Sequence, residues 1–446
     1  GGRRSPGTAQ QLWLFFSRDG DLSQPSGVID SPVGNNPGFG FQVSSGDFDN
    51  DGLNDLAVAA PFRGNNGGFY LWWGSDPAGI RRDNRIDAND PDLPSINPDV
   101  AFFGSGAERF FGYGVVLEEL DGEPGAEIVF NSYEPVSDQS TLYGVRGGSR
   151  DRLDWVAPTP GNPAIPVELT VDPDVLSTGA DDEPAGRMDF RIDAGPGVRG
   201  SLQRLETGDF DGNGQAELVA FDRGRTHANG VCTSCGEGYV YQVDQIDGAF
   251  TQGVATDGSG AIVTGGALTH VLRYRERDST GPEDFGDQIQ VIPNPESSGP
   301  DWLLVSHFRV DEVVVFAGSE TGLIPDSIPP GGLAQEEYTL LAPISDRIET
   351  TNFGVEVCFG RDPVSGQTDL LVASRVFGNP GGDPDARVGL FQYVWNSEAG
   401  VFEERGVIPG REVLGFRCTD VGNYFDDPRG AYLVGSETEA AGLVIR

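Results

Sequence analysis

An all-β fold, a propeller of six four-stranded blades, is what this sequence predicts. Three observations carry that expectation. A nine-residue acidic turn recurs in one frame, each copy runs straight into an apolar strand, and a Phe-Gly pair precedes most copies at a similar distance. Units starting roughly 60 to 90 residues apart, with no long amphipathic helical pattern, cannot bury their own faces alone; stacking them around a ring does so.

Residues 1–10 read as a flexible segment. Gly1-Gly2-Arg3-Arg4-Ser5-Pro6-Gly7 is small and basic, unlike a signal peptide, and no initiator Met stands before it, so a processed or trimmed chain is expected. One propeller is expected over 11–446. Gln11-Leu12-Trp13-Leu14-Phe15-Phe16-Ser17 reads as the third strand of a blade, while the chain ends on Gly442-Leu443-Val444-Ile445-Arg446, after two strands of a last unit. The N-terminal strand is therefore expected to complete the last blade and close the ring, which removes exposed strand edges.

The first full unit opens at Phe39-Gly40. Asp47, Asp49, Asp51 and Asp55 stand at turn positions 1, 3, 5 and 9, with Gly52 at position 6. Carboxylates so close together repel one another unless a cation lies among them. Hard oxygen ligands at alternate positions around a glycine are what Ca²⁺ takes. An EF-hand would carry a Glu at position 12 inside a helix; here that position is Val58, within Leu56-Ala57-Val58-Ala59-Ala60. The turn therefore joins two strands. The third strand is Gly68-Phe69-Tyr70-Leu71-Trp72-Trp73, whose alternation should bury one of the two tryptophans.

The second unit opens at Phe111-Gly112 and carries Glu119, Asp121, Glu123 and Glu127, but Pro124 takes the glycine position. Proline cannot adopt the left-handed conformation, so this turn is expected to have lost the ion. The third, near Ser201, lacks Phe-Gly yet repeats the acidic turn: Asp209, Asp211, Asn213, Gly214 and Glu217 lead into Leu218-Val219-Ala220. Units four and five open at Phe285-Gly286 and Phe353-Gly354, and Gly415-Phe416 marks a sixth in inverted order. Arg361 to Asp369 keeps Gly366 and Asp369 and reads as a turn without an ion. The copies before Trp302 and Ala431 have lost the ligand pattern. Inserted loops are expected near 150–200, 222–238 and 248–284. The first and last of these are long enough to hide a degenerate blade, so seven blades is the alternative count.

This pattern resembles the FG-GAP repeats of the integrin α-subunit propeller and its bacterial secreted relatives. The residues that carry the resemblance are Phe39-Gly40, the turn from Asp47 to Asp55, Ala59-Ala60-Pro61 and Gly68-Phe69-Tyr70-Leu71. It runs over 39–446, with the first repeat nearest the full pattern. The resemblance implies Ca²⁺ held by the side chains of Asp47, Asp49, Asp51 and Asp55 with the Leu53 carbonyl. By the same match, Asp209, Asp211, Asn213 and Glu217 would act with the Gln215 carbonyl. It also implies calcium loops on one face and ligand contacts on the other. An inserted adhesion domain of the metal-dependent integrin type is not evident.

Composition narrows the function. The net charge is −39, from 30 basic and 69 acidic groups, which excludes general nucleic-acid affinity and suits cations and solubility. Every basic residue is Arg, a bias that points to a GC-rich bacterial genome. No apolar run is long enough to span a membrane as a helix. Calcium turns of this kind work outside the cytosol, so a secreted, extracellular or cell-surface protein is expected.

Four cysteines form an even set. Cys232 and Cys235 share a short loop, and Cys358 and Cys418 follow two repeat starts; disulfides 232–235 and 358–418 are expected. A zinc site joining His227 to the first pair is the alternative. The three histidines, His227, His270 and His307, stand in no nucleophile–base motif. The chain is therefore expected not to be an enzyme, although a glycosidase-type carboxylate pair is invisible among so many acids.

The reading is an exported, calcium-binding propeller that serves adhesion, with a protein or glycan as partner. Trp72, Trp73, Trp155, Arg273, Tyr274 and Arg275 are candidate contacts. A structural subunit of a surface layer or filament, binding copies of itself, is one alternative; a secreted carbohydrate-active enzyme is the other.

Overall fold

The computed structural model describes residues 11–14, 27–32, 38–63, 66–74, 98–104, 110–134, 139–153, 167–171, 188–193, 202, 204–222, 236–243, 250–253, 267–272, 285–296, 298–307, 312–323, 338–341, 353–361, 368–374, 388–410, 414–420, 432–436 and 442–445. These residues are strands, turns and loops apart from the 3₁₀ turn Arg150–Leu153 and the single 3₁₀ residue Val243. They form six sheets of three to five strands and two small hairpins. Sheet one comprises 43–46, 55–59, 68–72 and 100–104. Sheet two comprises 115–118, 127–134, 139–145 and 190–193. Sheet three comprises 204–208, 217–222, 237–241 and 268–272. Sheet four comprises 289–292, 302–307, 312–316 and 338–341. Sheet five comprises 353–361, 368–374, 388–396 and 401–410. Sheet six comprises 414–420, 432–436 and 442–445. Within each, neighbouring strands among these are antiparallel.

The long stretches between repeats supply outer strands. Residues 190–193 and 268–272 complete sheets two and three, while 167–171 and 250–253 add parallel fifth strands to sheets one and two. The N-terminal strand 11–14 pairs with 27–30 in its own hairpin. Among the described residues it has no register with sheet six, in contrast to the expected ring-closing role.

Successive sheets meet through their first strands. Strand 43–46 lies against 115–118, that strand against 204–208, and so on through 289–292 and 353–361 to 414–420. Gln42 shows how closely these strands converge. Its amide donates to the Leu205 carbonyl two sheets away at 3.0 Å and accepts from Val115 N–H at 3.4 Å. This convergence of first strands is consistent with a propeller.

The core lies between the sheets. Phe69, Phe102, Phe111, Phe130 and Tyr143 fill the space between sheets one and two. Further clusters join two to three, three to four and four to five. Because a strand alternates its side chains, each inner sheet feeds two clusters. This explains the tryptophan pair. Both Trp72 and Trp73 are buried, at 1% and 5% exposure. Trp73 meets Phe48 in the core between sheets one and two, and Trp72 meets Phe39 on the far face of sheet one. The expectation that only one would be buried assumed a sheet with one wet face.

The Phe-Gly pairs are docking turns. Phe39, Phe111, Phe285 and Phe353 are buried, and the glycine after each has φ between +67° and +88°. At Gly112 the backbone also passes so close to sheet one that a Cβ would stand 3.0 Å from the Gly68 carbonyl oxygen. Only glycine fits there without strain.

Candidate metal centre

Three acidic turns are built alike, one on each of the first three sheets. In each, the residue before position 1 pairs with position 9: Gly46 with Asp55, Glu118 with Glu127, and Gly208 with Glu217. That register leaves 47–54, 119–126 and 209–216 as the loops. Position 2 is apolar, and Phe48, Leu120 and Phe210 are fully buried, so each turn is pinned to the core beneath it. The acid at position 9 is buried too, and accepts the N–H of position 2: Asp55 from Phe48 at 2.9 Å, Glu127 from Leu120 at 2.7 Å, and Glu217 from Phe210 at 2.7 Å.

Position 1 closes the loop. Asp47 accepts the N–H groups of Asp51 and Gly52 at 3.0 and 2.8 Å, and Asp209 accepts that of Gly214 at 2.9 Å. Pro124 has no N–H to offer, and Glu119 instead accepts from Gly122 at 2.8 Å. The left-handed residue moves with it. Gly52 and Gly214 at position 6 have φ of +85° and +89°, whereas the second turn uses Gly125 at position 7, with φ +106°. A one-residue shift thus accommodates the proline, and the acids of this turn stay clustered. Carboxylate oxygens of Asp47, Asp49 and Asp55 lie within 4.8 Å of one another, as do those of Glu119, Asp121 and Glu127, and those of Asp209, Asp211 and Glu217. Each group could hold a metal ion.

The position-5 side chains turn inward along the loop. Asp51 accepts Leu53 N–H at 2.9 Å, and Asn213 accepts Gln215 N–H at 2.7 Å. Leu53 and Gln215, expected to offer carbonyls, are half-buried. A cleft of about 250 Å³ between the first two turns, lined by Asp47, Asn50, Asn54, Glu118 and Glu119, opens both to solvent.

Electrostatics favour a cation here. Burial pushes Asp55 up to about 7, helped by the charges of Asp51 and Asp47 and opposed by the N–H groups of Gly74 and Phe48. Glu127 is pushed to about 8 by burial, then by Asp121 and Glu119. Glu217 reaches about 7 by burial, with Asp211 and Asp209 adding to it. Each turn therefore holds an acid that is costly to ionise unless positive charge is supplied. The third turn fits a hard cation best. Asp209 Oδ1 is buried with no hydrogen-bond partner, and a buried carboxylate oxygen in that state calls for a ligand.

Sequence reasoning missed the groups that answer these charges. Arg150 donates through Nε to Asp49 Oδ2 and through Nη2 to Asp51 Oδ2, the latter at 2.6 Å. Arg146 pairs with Asp121 at 3.5 Å. At the third turn the corresponding group is neutral: Gln242 donates to Asp211 at 3.2 Å. The available signal was two arginines closely spaced after the third strand of a very acidic unit. Asp301 was also missed. It stands directly before strand 302–307, in the place Ala126 holds in the second unit, and accepts Asp209 N–H at 3.1 Å.

The turns also join successive sheets. Ala126 and Gly148 donate backbone N–H groups to the Asp47 and Phe48 carbonyls, each at 2.7 Å. Asp301 and Ser319 do the same for Asp209 and Phe210, at 2.7 and 3.1 Å.

Of the other expected sites, Cys358 and Cys418 lie on strands 353–361 and 414–420, which pack together as the first strands of adjacent sheets. Cys232, Cys235, His227, Trp155, Arg273, Tyr274 and Arg275 lie outside the described residues. His307 is fully buried, with its ring 5.8 Å from that of Phe285. No helix among the described residues is long and apolar enough to cross a membrane.

Comparison with known proteins agrees with the first repeat. Residues 39–72 match the FG-GAP repeat family. Integrin alpha-PS5 of Drosophila melanogaster is 35% identical over 132 residues, a match that covers 27% of this chain and 12% of that protein. The chain thus spans only a small part of that relative's length. A solved structure described as a 6-phosphogluconolactonase of Bacteroides fragilis aligns over 94% of this chain and 85% of its own, with a TM-score of 0.40 and 11% identity.

Proposed function

We propose, with the FG-GAP repeat at residues 39–72 as premise, that this chain is an exported, calcium-binding β-propeller used for adhesion. Calcium sits in the acidic turns, and a protein or glycan binds elsewhere on the ring. The observation that carries the metal reading is the orphaned, buried Asp209 Oδ1 beside Asp211 and Glu217. An oxygen-rich, anionic and partly buried donor set suits Ca²⁺. Asp209, Asp211 and Glu217 would hold the ion in the third turn, and Asp47, Asp49 and Asp55 in the first. Calcium's contribution is charge neutralisation and stability by mass action. The integrin likeness favours an extracellular or surface setting and binding in place of catalysis.

The six sheets are read as six blades. Burial of Leu56, Val58, Tyr70 and Trp72 on the far face of sheet one supports a closed ring. The packing of 353–361 on 414–420 supports a disulfide between Cys358 and Cys418.

Light scattering with Ca²⁺ and with chelator, alongside thermal unfolding, tests this reading. A monomer whose melting temperature rises with Ca²⁺ is the expected result. Polymers that dissolve on chelation would favour the structural subunit instead, and indifference of both mass and melting to Ca²⁺ would overturn the calcium assignment.

A further inference from the structure

We infer that Arg150 is a built-in cation that competes with calcium for the first acidic turn, leaving the third turn, which meets no such arginine among the described residues, as the tighter calcium site. The inference rests on the calcium reading above and concerns which turn the ion takes first.

Beyond their own sequences, the two turns differ in the segment docked behind each. Gly148 of the segment after sheet two's third strand donates its N–H to the Phe48 carbonyl, and Ser319 of the segment after sheet four's third strand donates to the Phe210 carbonyl. Both acceptors are position 2 of their turns, so the two segments are docked alike. Two residues further on stand Arg150 in one and Thr321 in the other. The Arg150 guanidinium spans Asp49 and Asp51 and lies over the Trp73 ring at 5.2 Å. Flat, forked and stacked, it is held as arginine usually is at a carboxylate pair. Among the described residues no ion pair reaches 209–217. The acids of that turn are met by the side-chain amides of Gln242 and Asn213 and by backbone N–H groups.

An ion entering the first turn must therefore compete for Asp49 with a guanidinium already bound to it. At the third turn it meets the unpartnered Asp209 Oδ1. Calcium at the first turn releases Arg150 and with it the 3₁₀ turn Arg150–Leu153. The first site thus fills only at higher calcium, and its filling loosens a contact between sheets one and two.

Calorimetric Ca²⁺ titration of a D211N background, which removes a ligand of the third turn, reads the first. Calorimetric Ca²⁺ titration of a D49N background reads the third. R150Q is expected to tighten calcium at the first turn roughly tenfold, the scale of one strong charge contact. T321R, which places an arginine at the equivalent position, is expected to weaken the third turn by a similar factor. Unchanged or weaker binding at the first turn in R150Q overturns the inference. Should R150Q not fold in chelator, T321R decides alone, and an unchanged third turn overturns it. A third turn that binds no calcium in D49N overturns the calcium reading itself. Calcium at the third turn with R150Q without effect overturns the competition alone.

Discussion

Replacing Glu217 by Gln separates a metal ligand from a merely structural acid. Glu217 is 3% exposed and accepts Phe210 N–H at 2.7 Å. Gln keeps an acceptor of the same shape there and removes the charge. In chelator the wild-type carboxyl is raised from 4.5 to about 7. Its ionised form is disfavoured in the folded state, so a cost develops as pH rises from about 4.5 and is complete by about pH 8. Full removal from water would make that cost about 3 kcal/mol. The turn lies at the surface, and screening reduces it to about 1–2 kcal/mol. E217Q avoids it, and in chelator at about pH 8 the variant should equal or exceed wild type by that amount. With Ca²⁺ at about 100 times its dissociation constant, wild type gains about 2.7 kcal/mol at this turn and E217Q gains almost nothing. The order of stability therefore inverts between the two buffers. Urea unfolding in each is the assay. If E217Q loses the same stability with and without Ca²⁺, Glu217 serves only to hold Phe210, and the metal argument fails.

Two further outcomes follow from the same geometry. In chelator the melting temperature of the wild type should fall as pH rises from about 5 to about 8, because folded Asp55, Glu127 and Glu217 keep protons that the unfolded chain gives up. Saturating Ca²⁺ should flatten that slope, and a flat profile in chelator would contradict the assigned burial. G112A combines φ of +67° with a Cβ at 3.0 Å from the Gly68 carbonyl oxygen and should cost about 2–3 kcal/mol. G40A, where φ is +78° but the space is open, should cost only about 1 kcal/mol. Equal urea midpoints for the two would show that the close approach of sheet two's turn does not matter.

The strand–turn–strand rhythm was legible because it is local. Asp47 to Asp55 and Asp209 to Glu217 state their turns in nine consecutive residues, and the strands after them are apolar runs. The Phe-Gly pairs were legible for a similar reason: a left-handed turn needs its glycine at a fixed place. What escaped depended on neighbours. Trp72 and Trp73 could be sorted only by knowing that sheet one is covered on both faces. Pro124 argued against its turn until Gly125 was seen to take over the left-handed position. Arg150 reaches Asp49 across about a hundred residues of chain, and no spacing rule connects them. The hairpin of 11–14 with 27–30 was missed because strand 27–30 carries no repeat signature.

The backbone bonds from the first and third turns to the sheets behind them link neighbouring sheets in a row. Sheet one is held to sheet two through Asp47 and Phe48, and sheet three to sheet four through Asp209 and Phe210. In such a row the energy resides at junctions as much as within members, as in repeat proteins whose units answer only to their neighbours. Loss of the third turn would then not delete one sheet. It would open the junction between sheets three and four and bare the Val and Phe side chains packed there. The acidic turns are in that sense hinges of assembly, where a few oxygen atoms decide whether the parts behave as one body.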